Sequence, residues 1–536
     1  MNTLPHHSPV IIVGAGPSGL MMAAQLIRFG IQPIIIDFKK NINTQSRALA
    51  VQARSLEILG QMGLAEIALN EGNIASGLVL YQDTEEIASI NLSNIGEGKS
   101  AFHYVLILEQ NKTERILVDH LTSKTCPIYW YTQVLDVHQT DKQVTLKITR
   151  DGGEELITCD WLIGADGASS KVRKSLGISF SGGTYQHKFF LADTKVKGGV
   201  SHNSVRAFFT ESGFTAIFPM KDSNYRFIGI LPKSLNSKPD VSFNDISPFL
   251  TYNLGFPMTE DCCNWFSIYQ LHHRMADRFR SRRCFLIGDA AHVHSPVGGQ
   301  GMNTGLQDAY NLAWKLAGVV NKKYSISILD TYSQERMPVA KTLLKTTDRM
   351  FTIIIGQNWL TRQLRNLVLP FALNKLWKIG TINQRLFSLI SQTYINYRES
   401  PLSLHHSLAT KVKAGDRVPY IKFYDEKLKE ETNLHEWCKY PGFTLLVIGQ
   451  LSPLEVLAIS KWIKLSYPFD LHFYYLPPST RNKHVFEQFE VTENKRKAVL
   501  IRPDMYIGYI NDVVDVELIG GYLQESLGWG IKLQSN

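Results

Sequence analysis

The sequence predicts an α/β protein in which a parallel sheet is interleaved with a second, mixed sheet, followed by a helical stretch and a further small α/β unit. Three observations predict it. The chain opens on "PVIIVGAGPSGLMMAAQLIRFGIQPIIIDF" (9–38): a β-branched run, a glycine turn, an amphipathic run and a second β-branched run, which together make a β-α-β unit. Two later apolar runs also end in glycine turns, "WLIGADG" (161–167) and "CFLIGDA" (284–290). Around them the periodicity changes to two, in "QVTLKITR" and in "VRAFFTESGFTAIFPMKDSNYRFIGILP" (205–232), which reads as antiparallel strands.

The elements follow in order. Helix-spaced "SGLMMAAQLIRFG" stops at glycine, and "PIIIDF" is a buried strand. Residues 46–63 read as a loop running into an amphipathic helix, and 128–164 as a β-meander turning at "RDGGEE". "DWLIGADGASSKVRKSLG" is strand, turn and helix, and the pattern returns in "RCFLIGDAAHVHSPVGGQGMNTGLQDAYNLAWKLAG". Residues 331–400 are mostly helical; after "KAGDRVP" the composition resets, with strands expected at "GFTLLVIG", "FDLHFYYL" and "KAVLIRP".

A chain of 536 residues exceeds one ordinary core, and roughly two to four domains are expected. With 44% hydrophobic and 20% charged residues it is an ordinary globular composition. The net charge of +9 is moderate, and no run of five Lys/Arg marks a nucleic-acid arm. None of the six cysteines forms C-x-x-C, so reduced thiols and a cytoplasmic location are expected. No apolar stretch is long enough for a spanning helix, so no membrane partner is expected.

The first turn is G-x-G-x-x-G, with Gly14, Gly16 and Gly19. The first glycine permits the tight turn, the second lets a diphosphate approach the backbone, and the third lets helix and strand pack closely. Asp37 ends the second strand, where a carboxylate can accept from ribose hydroxyls; an acid there disfavours a 2′-phosphate. The turn alone does not separate NAD from FAD. Asp166–Gly167 with Arg173, and Gly288–Asp289 with Gly298, Gly299 and Gly301, add two further turns at strand ends. Together they imply one extended ligand touched from three parts of the chain, and FAD is such a ligand.

The motifs "GAGPSG", "GADGASSKVR" and "GDAAHVHSPVGGQGMNTGLQDAYNLAWKL" resemble the three fingerprints of the flavin monooxygenases of the 4-hydroxybenzoate hydroxylase type. The likeness runs from about Pro9 to Trp529 and is nearest the phenol and polyketide hydroxylase branch that carries a C-terminal thioredoxin-like domain. It implies a discontinuous FAD-binding domain (1–180 and 270–345), a substrate-binding sheet domain (75–105 and 181–269), a helical linker or dimer segment (346–408) and a thioredoxin-like domain (409–536).

Residue by residue, the resemblance assigns Gly14, Gly16, Pro17, Ser18 and Gly19 to the diphosphate loop and Asp37 to the ribose. Arg47 and Gln110 match residues that reach the cofactor, with a surface arginine and a helix-start glutamine as the plain alternatives. Val134 matches a strand that touches adenine, core packing being the equal alternative. Asp166 matches the "DG" acid, or else a turn aspartate bonding its own backbone. Asp289 matches the acid on the ribityl chain. Gly299, Gln300, Gly301, Met302 and Asn303 bring helix-start N–H groups to the flavin edge where charge collects on reduction. Pro296 matches the proline beside the reacting edge and Gln52 a polar residue near substrate; an amide there can orient a phenol but is a poor base. The pair His292 and His294 lacks a third ligand of matching spacing, so no metal is expected.

The resemblance implies an FAD-dependent monooxygenase: NADPH or NADH reduces FAD, O2 adds to form the flavin C4a-hydroperoxide, and one oxygen passes to a phenolic or polycyclic aromatic ring. Phe208, Phe214 and Phe218 are candidates for the substrate wall, although strand parity lets only some of them face one ligand. A homodimer is implied. The alternatives are a related flavoenzyme that epoxidises, inserts oxygen in Baeyer–Villiger fashion or inactivates an antibiotic-like aromatic, and a flavin protein that binds an aromatic without turnover. The C-terminal unit has only Cys438, so thiol–disulfide exchange is not expected of it.

Overall fold

The computed structural model describes residues 3–529 except 46, 197–201, 211–212, 256, 260–261, 296, 357–362, 364–379 and 469. Its first sheet places five parallel strands in the order Cys284–Leu286, Gly153–Gly164, His7–Val13, Ile34–Ile36 and Ile128–Tyr129. The middle strand is apolar because both faces are covered: Val10, Ile11 and Ile12 are fully buried. Helix Pro17–Arg28 packs against helices Gln110–Ser123 and Gly301–Val320. Register fixes the site. Val13 pairs with Gly164 and Gly164 with Leu286, so the three glycine turns begin side by side at the carboxyl ends of the strands, where open α/β sheets bind ligands.

The second sheet has eight strands, ordered His292–Val293, Cys263–Ala276, Phe180–Lys195, Asn224–Ile230, Gly213–Pro219, Ser204–Thr210, Gly77–Gln82 and Glu85–Asn91. All pairings are antiparallel except Ser204–Thr210 with Gly77–Gln82. It runs on through Ala276 and recruits His292–Val293, past the end at 269 read from the sequence, because the pairing resumes after an irregularity between Thr184 and Lys188 and continues to Phe180 opposite Ala276. Helix Phe243–Leu254, opened by a Ser242/Asp245 capping box and closed by Gly255 at φ 73°, covers one face. The other face turns toward the first sheet's loops and helix Asp330–Ile355.

In the C-terminal part the sheet order is Leu404–His406, Ile507–Asn511, Arg496–Ile501, Phe443–Gly449 and Leu471–Leu476. Phe443–Gly449 runs parallel to Leu471–Leu476 and antiparallel to Arg496–Ile501, with helix Pro453–Ser466 as the crossover. Among the described residues no helix is long and apolar enough to cross a membrane.

Charged side chains join this part to the rest. Glu57, buried on helix Ala53–Gly60, accepts from Arg417 Nη1 at 3.0 and 3.2 Å and from Ser100 Oγ at 2.7 Å. Burial alone would raise its carboxyl, but Arg417, His435 and Arg54 outweigh it and hold the group at about 2. Burial lowers the pKa of Arg417 more than Glu57 raises it, so the link is worth less than the carboxyl alone suggests. A carboxyl depressed from 4.5 to about 2 contributes at most about 3 kcal/mol, present above its unfolded value and lost as pH falls through its folded one. Glu57→Gln is therefore expected to lower the thermal midpoint at neutral pH and to flatten its decline on acidification. A variant as steeply acid-sensitive as the parent would contradict this.

Candidate active site

The first turn is shaped by its glycines in different ways. Gly14 sits at φ 109°, and a methyl there would lie 2.3 Å from the Ala165 carbonyl; one on Gly19 would lie 1.9 Å from the Gly14 carbonyl. Gly16 differs: its φ is −86° and an added Cβ meets nothing within 4 Å. Neither conformation nor packing demands glycine there, so the open space suits a group from outside the chain. Pro17 starts the helix. Ser18 clasps the other motifs, since a methyl on Gly288 or on Gly305 would sit 2.3 Å from its Oγ. The buried Asp37 carboxylate accepts from Ala15 N at 2.6 Å and Lys39 N at 2.8 Å, which ties the second strand to the glycine turn.

At the third motif Asp289 is exposed, yet protein surrounds it closely enough for desolvation to raise its carboxyl pKa, with His292 and Arg47 pulling it back. Arg47 lies over the Tyr269 ring at 5.0 Å, which places its guanidinium between the second sheet and Asp289. Helix Gly301–Val320 begins at Gln300 with no side-chain cap, so its first-turn N–H groups and positive dipole end stand open beside this turn. Met302 is half-buried against the core.

Several site residues bond to the protein itself. Asn303 accepts from Gln52 N at 2.8 Å and donates to the Ala50 and Gly299 carbonyls at 2.9 and 2.7 Å, so only its backbone is free for a ligand. The Gln52 amide donates to the Gly298 carbonyl at 2.9 Å, and Gln300 donates to Leu389 O at 2.9 Å; both anchor the glycine loop. Asp166 accepts from Ser170 Oγ, Lys171 N and Val172 N at 2.5, 2.7 and 3.0 Å, the self-bonding turn aspartate in form. Arg173 donates to the Ala290 and Ala168 carbonyls at 2.8 and 2.7 Å, bridging the second and third motifs. Val134 is buried in the core. Pro296 lies outside the described residues.

The phenylalanines divide by parity. Phe214 and Phe218 flank Ala216 on the face that carries Tyr269, Leu191 and Arg226, and both are half-buried. Phe208 is a correction to the sequence reading: it points to the opposite face, stacked on Tyr81 at 4.6 Å beneath helix Phe243–Leu254. Pairing opposite Thr215 rather than Phe214 is what turns it away.

His292 Nε2 is held by Asp308 at 2.7 Å and His294 Nδ1 by the Ser295 carbonyl at 2.8 Å. Among the described residues no three His, Cys, Asp or Glu side chains gather as a metal site. Asp308 and Gly305 are functional positions the sequence reading missed. Asp308 takes the Gly288 N–H at 3.1 Å, His292, and Arg336 at 2.7 Å, and so fixes the Gly288–Asp289 turn from behind. The available signal was an acid embedded in the apolar run "GLQDAYNLAW".

A glycine cradle open to a diphosphate, an exposed acid and an uncapped helix start, all at the carboxyl ends of one sheet's strands, fit FAD. Residues 7–347 match the protein family described as FAD binding domain. The chain is 35% identical over 403 residues to the 6-methylpretetramide 4-monooxygenase of Streptomyces rimosus, covering 74% of this chain and 71% of that one. It is 30% identical over 465 residues to the pentachlorophenol 4-monooxygenase of Sphingobium chlorophenolicum, covering 83% and 82%. Its fold superimposes on an aklavinone-11 hydroxylase, solved with FAD and aklavinone, with a TM-score of 0.82 at 21% identity, over 98% of this chain and all of that one. The chain belongs to the FAD binding domain family and, within it, to the FAD-dependent aromatic monooxygenases.

Proposed function

We propose that this enzyme hydroxylates a phenolic or polycyclic aromatic compound, with NADPH or NADH as reductant and O2 as co-substrate. The observation that carries the reading is that the turns after Val13, Gly164 and Leu286 stand side by side, Gly14 packed against Ala165 and Ser18 against Gly288, which supports one long cofactor held from three parts of the chain. When bound, FAD supplies the electron transfer and the oxygen activation. The chain's own groups bind and orient. Gly16 and the first turn take the diphosphate, Asp37 and Asp289 accept from sugar and ribityl hydroxyls, and the N–H groups of Gly301 to Asn303 stabilise negative charge on the reduced ring. Gln52 holds the Gly298–Gly299 loop through its Nε2.

Phe214, Ala216, Phe218 and Ile228 supply an apolar wall, with two neighbouring small residues (Ala207 opposite Ala216) leaving room for a planar ring. The test is aromatic-dependent oxidation of NAD(P)H with a product heavier by one oxygen. Reductant consumed with only peroxide released, for every phenol and polycycle tried, would refute it.

Two substitutions separate wall from core. Phe218→Ala is expected to raise KM several-fold with little change in stability. Phe208→Ala is expected to cost about 3–5 kcal/mol with KM unchanged. Interchanged results would overturn the assignment of faces. Gln52→Leu removes the Gly298 contact without charging the site; about tenfold slower turnover, with more reductant lost to peroxide, is expected from a loosened loop.

We also propose that the C-terminal unit is a redox-inert thioredoxin-like appendage. Its strand order supports this, and burial pushes the Cys438 thiol up to about 12, so no thiolate is available near neutrality.

A further inference from the structure

The sequence motif "EQNKTE" holds a pair whose second member nothing above uses. Gln110, first residue of helix Gln110–Ser123, donates its Nε2 to Glu114 Oε1 at 2.8 Å. Its backbone N–H bonds the Ala48 carbonyl at 3.1 Å, so it lies against the segment that carries Arg47. Glu114 is 1% exposed, a depth at which a charged carboxylate needs a purpose. Gln110 is half-buried, and its Oε1 has no partner among the described residues.

An ionised carboxylate only accepts hydrogen bonds, so it forces the amide to turn its NH2 inward and its carbonyl oxygen outward. We propose that Glu114 is a positioning residue, fixing Gln110 so that Oε1 is offered as an acceptor to a hydroxyl of the bound dinucleotide. This rests on the FAD reading and deepens it. A protonated Glu114 could instead donate to Oε1, turn the amide round and present a donor to a group that also donates. Burial raises the Glu114 pKa, and Asp37 adds to that, while the Gln110 bond, Lys39 and the Asn43 backbone favour the anion. Glu109, paired with Lys112 at 3.1 Å, is the remaining charged pair on this end of the helix, and Lys112 also bonds the Glu71 carbonyl across the neighbouring helix. The acceptor is therefore set above the raised pKa and lost as pH falls through it.

The experiment dilutes the yellow holoenzyme and reads released FAD by its fluorescence between about pH 5 and about pH 8, for the parent, Glu114→Gln, Glu114→Asp and Gln110→Leu. The parent is expected to hold FAD more tightly as pH rises. Glu114→Gln should release it about tenfold more readily at the alkaline end and lose the pH slope that depends on this group. Glu114→Asp, if it reaches Gln110, should restore the slope, and Gln110→Leu combined with Glu114→Gln should be no weaker than either alone. Burial also raises Asp166 and Asp289, in every variant alike, so only the difference between proteins counts. A Glu114→Gln protein with the parent's slope and affinity would overturn the inference while leaving the FAD reading intact; a parent that takes up no FAD would sink both.

Discussion

Gly16→Val is expected to give a folded, colourless protein. The residue sits at φ −86° and ψ −179°, which valine adopts readily, and the space around its missing side chain holds no protein atom within 4 Å. Measured without FAD, the thermal midpoint should match that of the parent. The volume valine fills is the volume the diphosphate needs, so FAD affinity should fall by at least about a hundredfold, roughly 3 kcal/mol. Gly14→Ala is the control with the opposite signature. A side chain at φ 109°, 2.3 Å from the Ala165 carbonyl, must part the strands that bring the first two turns together, and the protein itself should be destabilised. Should Gly16→Val bind FAD as the parent does, the diphosphate does not cross this turn and the proposed site is misplaced.

The contrast between these two glycines also marks what a sequence conveys. G-x-G-x-x-G between two β-branched runs identifies the turn, and the three strands that lead into glycine turns are plain from their apolar runs, because local propensity and long-range packing agree there. Parity was less legible. In "AFFTESGF" either Phe208 or Phe209 can share a face with Phe214, depending on the hairpin register, and the pairing of Phe209 with Phe214 sends Phe208 to the far side. The anchoring of Gln52 was illegible for a different reason: its Nε2 partner is the Gly298 carbonyl, 246 positions away, and no local pattern encodes that contact. Asp166 shows the converse. Its carboxylate is absorbed by the next five to six residues, a local bond that competes with the cofactor role its motif suggests. The buried charges behind the site were illegible altogether, since an Asp or Arg in a helix reads as a solvated face until its partners from distant segments are seen.

Arg502→Met is expected to be strongly destabilising, because it breaks one such cluster. Arg502 of the C-terminal unit is fully buried and donates to both Glu335 oxygens at 2.6 and 2.9 Å and to both Asp504 oxygens at 2.5 and 3.0 Å. Lys315 and Asn311, on the helix that begins at the glycine loop, donate to the same Glu335 at 2.7 and 2.6 Å, and Trp314 of that helix donates to Asp504 at 3.0 Å. Two cations thus balance two anions out of water. Burial lowers the Lys315 pKa to about 8, while Arg502 and Lys315 hold Glu335 well below the usual carboxylate range against its own desolvation. Methionine fills the volume but leaves one cation for two anions, and stranded buried charges of this kind cost about 3–5 kcal/mol. Because Asn311, Trp314 and Lys315 ride on the helix proposed to meet the flavin, FAD retention should fall with the thermal midpoint. The companion variant Arg502→Met with Asp504→Asn restores the balance, and is expected to be less destabilised than the sum of its two single substitutions by at least about 1 kcal/mol. A single Arg502→Met protein within about 1 kcal/mol of the parent, with FAD bound as tightly, would mean that the C-terminal unit rests against helix Gly301–Val320 without supporting it.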